Sequence, residues 1–430
     1  MLDPTTELIL TCEILIFICL NSVWLTIYLS MRKKQFKKGS YDEPVSIIIP
    51  AFNKESTIAK VIDSVLSLDY PKKEIIVVND GSTDKTLEIC RKYEKDGKIK
   101  LISYQKNRGK AFALNKGIKA SSFDIIVTVD ADSFPKKKSL KKLMKYFVDP
   151  EVGAVAGTVK VLNKNKFLTL AQGLEYLHQG FQRVCQGFLD AIMVAPGPLT
   201  AYRKEALIKA GYFDNDTSVE DFDMTIKIHK AGYKVISERK AEVLTLAPES
   251  LGRWWRQRVR WSRGGLQILR KHFDVFSNQN TRKLAYFSFP LHVFWLFFPF
   301  VLLPSFLLIT GPRILSGFQR MIENFPAFIS NIISTPIDFS KMKISLFFAS
   351  FQETIINFLD LNRFNFVIIL GYISVLLFFT FSGFSFKVLG EKFKPKDLAG
   401  IFSLFIYWIF LLVVGIYGFF VELFKKKKGW

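Results

Sequence analysis

A chain of 430 residues with a formal charge of +22 has room for two or three domains, and its 49% hydrophobic content is unevenly spread. Residues 31–283 are rich in charge whereas the 43 phenylalanines crowd toward the C-terminal third, which excludes a single water-soluble domain and argues for a soluble unit plus membrane segments. The lysines are scattered over amphipathic helices and beside apolar runs, without the interleaved aromatics of RNA binders, so anionic lipid accounts for them better than nucleic acid. Cys12, Cys19, Cys90 and Cys185 form no Cys-x-x-Cys pair, so neither zinc nor a disulfide framework is indicated and a reducing compartment fits.

The first apolar run, Leu8–Leu29, is too long for a signal-peptide core and lacks a basic leader, so it reads as a transmembrane anchor. Asp3 and Glu7 precede it, and Arg32, Lys33, Lys34, Lys37 and Lys38 follow it. Positive-inside logic then puts the N-terminus outside and residues 31–283 in the cytoplasm, in a multi-pass plasma-membrane protein. Val45–Pro50 is a continuous apolar run ended by proline, as buried parallel strands are. Helical spacing over Lys60–Leu68 follows, then a strand at Glu74–Asn79, a helix at Thr86–Tyr93, a strand at Ile99–Tyr104, a helix at Lys110–Ala120 and a strand at Ile125–Val129. The alternation predicts an α/β, Rossmann-like, mostly parallel sheet with helices on both faces, binding its ligand beyond the carboxyl ends of the strands. Asn53–Glu55, Asp80–Ser82 and Asp130–Ser133 all fall there.

Asp130 and Asp132, one residue apart, can clamp a hard cation such as Mn2+ or Mg2+ with substrate phosphates completing the shell; the bland reading is a solvated acidic turn. Asp80 either faces a ligand or caps the helix after it, and Lys110 at a helix start suits an anion. Glu220 and Asp221 stand just before the amphipathic helix Met224–Ala231, where the helix dipole favours acids and where a general base would also serve. Arg253–Gly265 has the pattern of an interfacial helix, with Gln257 and Arg260 able to reach a diphosphate and Trp261 able to stack on a sugar. Trp254 and the remaining arginines are expected to face lipid, and the four histidines to be structural. Leu284–Thr310, Phe364–Phe386 and Leu398–Phe424 are long enough to span. Ile344–Leu361, with Gln352 and Glu353, is either a further span or a surface helix. A cytoplasmic Lys425–Lys428 tail favours five spans over four, although five leave Lys387, Lys392, Lys394 and Lys396 outside.

Taken in order, Asn79-Asp80-Gly81-Ser82, Asp130-Ala131-Asp132, Glu220-Asp221 and Gln257-Arg258-Val259-Arg260-Trp261, ending at a membrane, resemble the membrane-embedded family 2 glycosyltransferases that build polysaccharides from nucleotide sugars. Hyaluronan, cellulose, chitin-oligosaccharide and poly-N-acetylglucosamine synthases belong to that group, and the likeness runs from about Val45 to Gly265. The resemblance implies a GT-A fold with Asp132 on metal and diphosphate and Asp130 on metal and nucleotide. It places Asp80 on the uridine, Lys110 near the nucleotide and Asp221 as base, and it makes Ala195–Arg203, with Gly197 and Pro198, the acceptor loop beside Glu220. The family's Asn-Glu pair is here Asn53-Lys54-Glu55, so the nucleotide-facing role passes to Glu55 or is lost. The expected organisation is an anchor (1–30), a cytosolic GT-A domain (31–250), an interfacial segment (251–283), a membrane region of three or four spans (284–424) and a basic tail (425–430). The expected activity is inverting, metal-dependent transfer from a UDP-sugar to a growing glycan; the alternatives are single transfer to a lipid and a nucleotide-sensing transporter or scaffold.

Overall fold

Alternate residues of β1 (Val45–Ala51) serve two different cores, which is why the strand is apolar almost throughout. Ile47 and Ile49 join one cluster with Val61, Ile62 and Val65 of α2 (Ile58–Leu66), whereas Ile48 joins the other with Leu114 and Ile118 of α4 (Lys110–Ala120). The computed structural model describes residues 4–308 and 366–424. Its remaining strands are β2 (Lys73–Asp80), β3 (Lys100–Tyr104), β4 (Ile125–Thr128), β5 (Ser133–Pro135), β6 (Val152–Val161), β7 (Thr200–Arg203) and β8 (Lys234–Thr245). They form one sheet in the order β3-β2-β1-β4-β7-β6-β8-β5.

The four expected strands pair in parallel as β3-β2-β1-β4, with β1 register Val45 to Lys73 and Val45 to Ile125. β7 then runs antiparallel to β4, so the sheet is mixed but mostly parallel, as expected. Strand order reverses between β1 and β4, and the crevice beyond their carboxyl ends is the switch point at which such sheets take ligands. Residues 53–55 leave β1 into this crevice and residues 130–132 leave β4 into it.

α3 (Thr86–Lys95) and α5 (Ser139–Met144) flank the sheet. α6 (Phe167–Leu189) and α7 (Lys204–Lys209) flank β7, and α8 (Glu220–Lys230) carries the acidic pair in its first turn. α9 (Leu251–Lys271) holds the Gln-x-x-Arg-Trp motif. Four helices among the described residues are long and apolar enough to cross a membrane: Glu7–Met31, within α1 (Pro4–Met31), and Leu284–Leu308, Ile369–Val388 and Ile406–Phe424. The expected segments at Ile344–Leu361 and Lys425–Lys428 lie outside the described residues. The chain divides into two units, Met1–Ser22 with Phe300–Phe379, and Val23–Pro299 with Thr380–Trp430. The second contains the sheet, α2 to α9 and the Pro395–Phe424 helix.

Within that unit α9 does not lie free on a lipid surface. Ser262 donates to the Gly415 carbonyl at 3.0 Å, and Arg263 pairs with Glu422 at 2.9 Å, so one flank is fastened to the Pro395–Phe424 helix. Trp254 is 1% exposed and its indole N–H donates to Tyr407 Oη at 3.0 Å; Arg258 is 3% exposed. The expectation that Trp254 and the remaining arginines face lipid is therefore corrected for Trp254, Arg258 and Arg263. Trp254, Arg258 and Trp261 fall at i, i+4 and i+7, one helical stripe, and that stripe turns toward protein.

Candidate active site

Lys110 is the first residue of α4, and its ammonium ties two elements together: it lies 2.6 Å from Asp130 Oδ1 and 2.8 Å from Glu220 Oε1. Glu220 and Asp221 open α8 itself, several residues earlier than the sequence pattern placed the helix, so their charges meet its positive end. Asp221 Oδ2 accepts the Gly197 N–H at 3.0 Å, which brings the loop before β7 against the base candidate. A Cβ on Gly197 would stand 2.8 Å from Lys110 Nζ, so a side chain there would push the ammonium from its place between the acids. Asp130, Lys110, Glu220, Asp221 and Gly197 thus form one connected cluster, with Pro198 next in the same turn.

Burial sets the electrostatics of this cluster. It would lower the Lys110 pKa, but Asp130, Glu220 and Asp221 overcome it and hold the ammonium well above its ordinary range. Asp130 is pushed up by burial against the pull of Lys110, and Asp221 by burial and then by the Glu220 charge. Burial would raise Glu220 too, but Lys110, Arg260 and its own backbone N–H together hold it down. The pair is thereby split into a firmly ionised Glu220 and a more basic Asp221.

Asp132 meets a different cation. Lys54 Nζ lies 2.5 Å from Asp132 Oδ2, so the residue that interrupts the Asn-Glu pair reaches the second acid of the Asp-x-Asp motif. Asn53, at φ +51, accepts the Thr83 N–H at 2.8 Å, and Glu55 accepts the Lys85 N–H at 3.0 Å. Both side chains are engaged in bracing the turn before α3. Asp80 accepts the N–H groups of Arg108 at 3.0 Å and Gly109 at 2.8 Å, shaping the loop that delivers Lys110. Position 81, at φ +75, takes only glycine, because a Cβ there would lie 2.6 Å from Asn107 N.

From α9, Arg260 donates to the Ser218 carbonyl at 2.7 Å, two residues before Glu220. Gln257 Oε1 is buried and has no hydrogen-bond partner among the described residues, an orphan acceptor of the kind that calls for explanation. Trp261 stacks on Tyr176 with ring centroids 6.4 Å apart, and the Arg258 guanidinium covers its ring at 4.2 Å. Arg258 in turn makes a bidentate pair with Glu175 at 2.6 Å through each nitrogen, and Tyr407 donates to the same carboxylate at 2.6 Å. The four histidines are held by fold contacts, among them His272 to Asp223 at 2.7 Å and His229 to the Ile192 carbonyl at 3.0 Å.

The Glycosyl transferase family 2 domain matches residues 46–211, from β1 to the end of α7. A poly-beta-1,6-N-acetyl-D-glucosamine synthase of Staphylococcus epidermidis is 31% identical over 400 residues, spanning 90% of this chain and 85% of that protein. The chain is a family 2 glycosyltransferase. A protein of the same description from Staphylococcus aureus strain COL is 35% identical over 266 residues, 61% of this chain and 63% of that one. A mannosyltransferase from Pyrobaculum calidifontis, solved in complex with GDP-Man and Mn2+, superposes with a TM-score of 0.61 over 98% of this glycosyltransferase and 99% of its own length, at 20% identity, so it shares the fold.

Three further residues join the candidate site. Lys54 carried a signal, because it directly follows Asn53 at the carboxyl end of β1, the same edge as Asp132. Arg258 carried one in its helical stripe with Trp254 and Trp261. Glu175 carried none, since its partner is 83 residues away.

Proposed function

We propose that this glycosyltransferase extends a polysaccharide from UDP-N-acetylglucosamine at the cytoplasmic membrane face, with inversion at the anomeric carbon. The observation that carries the reading is the Lys110–Asp130–Glu220–Asp221–Gly197 cluster at the switch point, with the Trp261 ring on the neighbouring helix. The names and coverage of the staphylococcal relatives support the choice of sugar and of polymer.

In this reading Asp221 takes the proton of the acceptor hydroxyl as its oxygen attacks C1 of the donor sugar. The C1–O bond to the diphosphate breaks on the opposite face, and its electron pair leaves with UDP. The Gly197 N–H holds one Asp221 oxygen in place, leaving the carboxylate directed rather than free to rotate. Lys110 holds Asp130 and Glu220 and offers positive charge to the diphosphate, and Gln257 and Arg260 approach the same group from α9. Asp80 holds the uridine side of the site together with Asn53 and Glu55, through the turns they brace. Trp261, Gly197, Pro198 and Glu220 bound the acceptor.

Asp130 and Asp132 fit a divalent cation. Each already takes a lysine ammonium at 2.6 or 2.5 Å, each is partly exposed, and an all-oxygen donor set suits Mn2+ or Mg2+. When bound, such an ion would offset the charge that develops on the departing diphosphate.

The test is transfer by purified protein in nanodiscs with labelled UDP-N-acetylglucosamine and Mn2+ or Mg2+. A ladder or high-mass glycan is expected, lost reversibly in excess chelator and abolished by Asp132→Asn. A product that stops at one sugar on a lipid, at saturating donor, would replace polymer synthesis with single transfer.

A further inference from the structure

We propose that a cavity at the end of α1 binds the phosphate headgroup of an anionic membrane lipid. The cavity has a volume of about 420 Å³ and shares no lining residue with the catalytic cluster. Six cations converge on it: Arg32, Lys33, Lys34 and Lys38 from the segment after α1, and Arg239 and Lys240 from β8. Glu238 is the one acid in its wall, and its carboxylate is already used. It accepts Tyr146 Oη at 2.6 Å and the Lys240 N–H at 2.8 Å, and Lys38 Nζ stands 3.6 Å away.

Lys34 donates to the Phe188 carbonyl at 2.5 Å. The side chains of Arg32, Lys33, Arg239 and Lys240 have no hydrogen bond or ion pair among the described residues. That sets them apart from Lys136, Lys160, Lys227 and Lys271, each of which has a carboxylate partner. Four unpaired cations around one concavity repel one another, and an anion placed among them turns that repulsion into attraction.

Two features select a lipid phosphate over a soluble one. Tyr28 lines the cavity from inside the Glu7–Met31 span, and Arg32 is the first residue past it, so the mouth lies where acyl chains meet headgroups. The wall behind the cations is aromatic and continues toward the span: Tyr28 packs on Phe188 at 6.3 Å and on Phe384 at 5.7 Å between centroids. A free phosphate has no use for that surface, whereas a phospholipid places its glycerol and upper acyl chain there.

The experiment uses the full chain in phosphatidylcholine nanodiscs doped with phosphatidylglycerol, with retained lipid counted by native mass spectrometry. Replacing Arg32, Lys33, Arg239 and Lys240 by Gln should weaken phosphatidylglycerol retention by at least about tenfold. A control that replaces the exposed Lys60, Lys92, Lys95 and Lys141 by Gln removes equal charge outside the cavity and should retain it. The half-variants Arg32→Gln/Lys33→Gln and Arg239→Gln/Lys240→Gln should each show an intermediate loss, which keeps the test readable if the fourfold variant is unstable. Inorganic phosphate at matching concentration should not displace the lipid. Equal retention by the cavity variants, equal loss in the control, or displacement by inorganic phosphate overturns the proposal.

Discussion

At the scale of single residues, the site works by giving neighbouring carboxylates different environments. Glu220 has the Lys110 ammonium at 2.8 Å, and Asp221 has a backbone N–H together with the Glu220 charge beside it. With Asp221 as the proposed base, the rate needs it unprotonated and rises with pH through the pKa of that group. Because burial and Glu220 raise that pKa, the acid limb of log kcat should lie above the ordinary carboxylate value. Lys110 opposes the rise, so Lys110→Gln should move the limb to still higher pH, a shift readable in whatever turnover remains. Asp221→Asn keeps shape but cannot take the proton, and turnover should fall about a hundred- to ten-thousand-fold while UDP-sugar binding survives. Near-normal turnover of the Asn variant would move the base elsewhere, with Glu220 the next candidate. The acids were legible in the sequence because each sits at a strand end or helix start with few neighbours competing for the role. Lys54 was not, because its meaning depends on Asp132, 78 residues away, lying at the same edge of the sheet.

At the scale of elements, α9 is held in a polar network that fixes the Trp261 ring. Arg258 spans from Glu175 on α6 to the face of Trp261, and Tyr407 of the Pro395–Phe424 helix completes the Glu175 carboxylate. On the proposed acceptor role of Trp261, Arg258, Glu175 and Tyr407 are positioning residues that act through it. Removing one partner of such a buried pair costs about 3–5 kcal/mol, so Arg258→Ala should unfold at markedly lower temperature. Tyr407→Phe removes the hydrogen bond to the Glu175 carboxylate, worth about 1.5–3 kcal/mol, together with the one from the Trp254 indole, and leaves the Arg258–Glu175 pair in place. Its product ladder should shorten at saturating donor, with donor hydrolysis less affected; an unchanged length distribution would reduce the network to a stability role. Helical periodicity alone could have placed Arg258 beside Trp254 and Trp261. An arginine-rich face on a helix next to apolar spans nonetheless reads as lipid-facing, since its acidic partner is invisible until α6 packs there.

At the scale of the whole molecule, the proposed cytoplasmic placement of the sheet puts the Lys37 segment on the same side, and the number of crossings after the sheet decides the side of Lys427. Single cysteines near Lys37 and Lys427 in a cysteine-free background should both resist an impermeant thiol reagent in intact cells if the chain crosses five times. Five crossings also require residues 387–396 outside, whereas Glu391 pairs with Lys160 of β6 at 2.8 Å on the sheet's side. Labelling at Lys427 but not at Lys37 establishes four crossings. The sequence by itself determined the parallel β3-β2-β1-β4 half, the apolar helices and the order of the acidic motifs, because hydrophobic periodicity and the residues that end strands are local signals. Only the tertiary structure decided the antiparallel continuation through β7, β6, β8 and β5, and the start of α8 at Glu220. It alone brought Lys54 to Asp132, Glu175 to Arg258, and Arg239 and Lys240 to the end of α1. Each of these joins residues far apart in the chain, and the charge of one member gives no local sign of where its partner will fold.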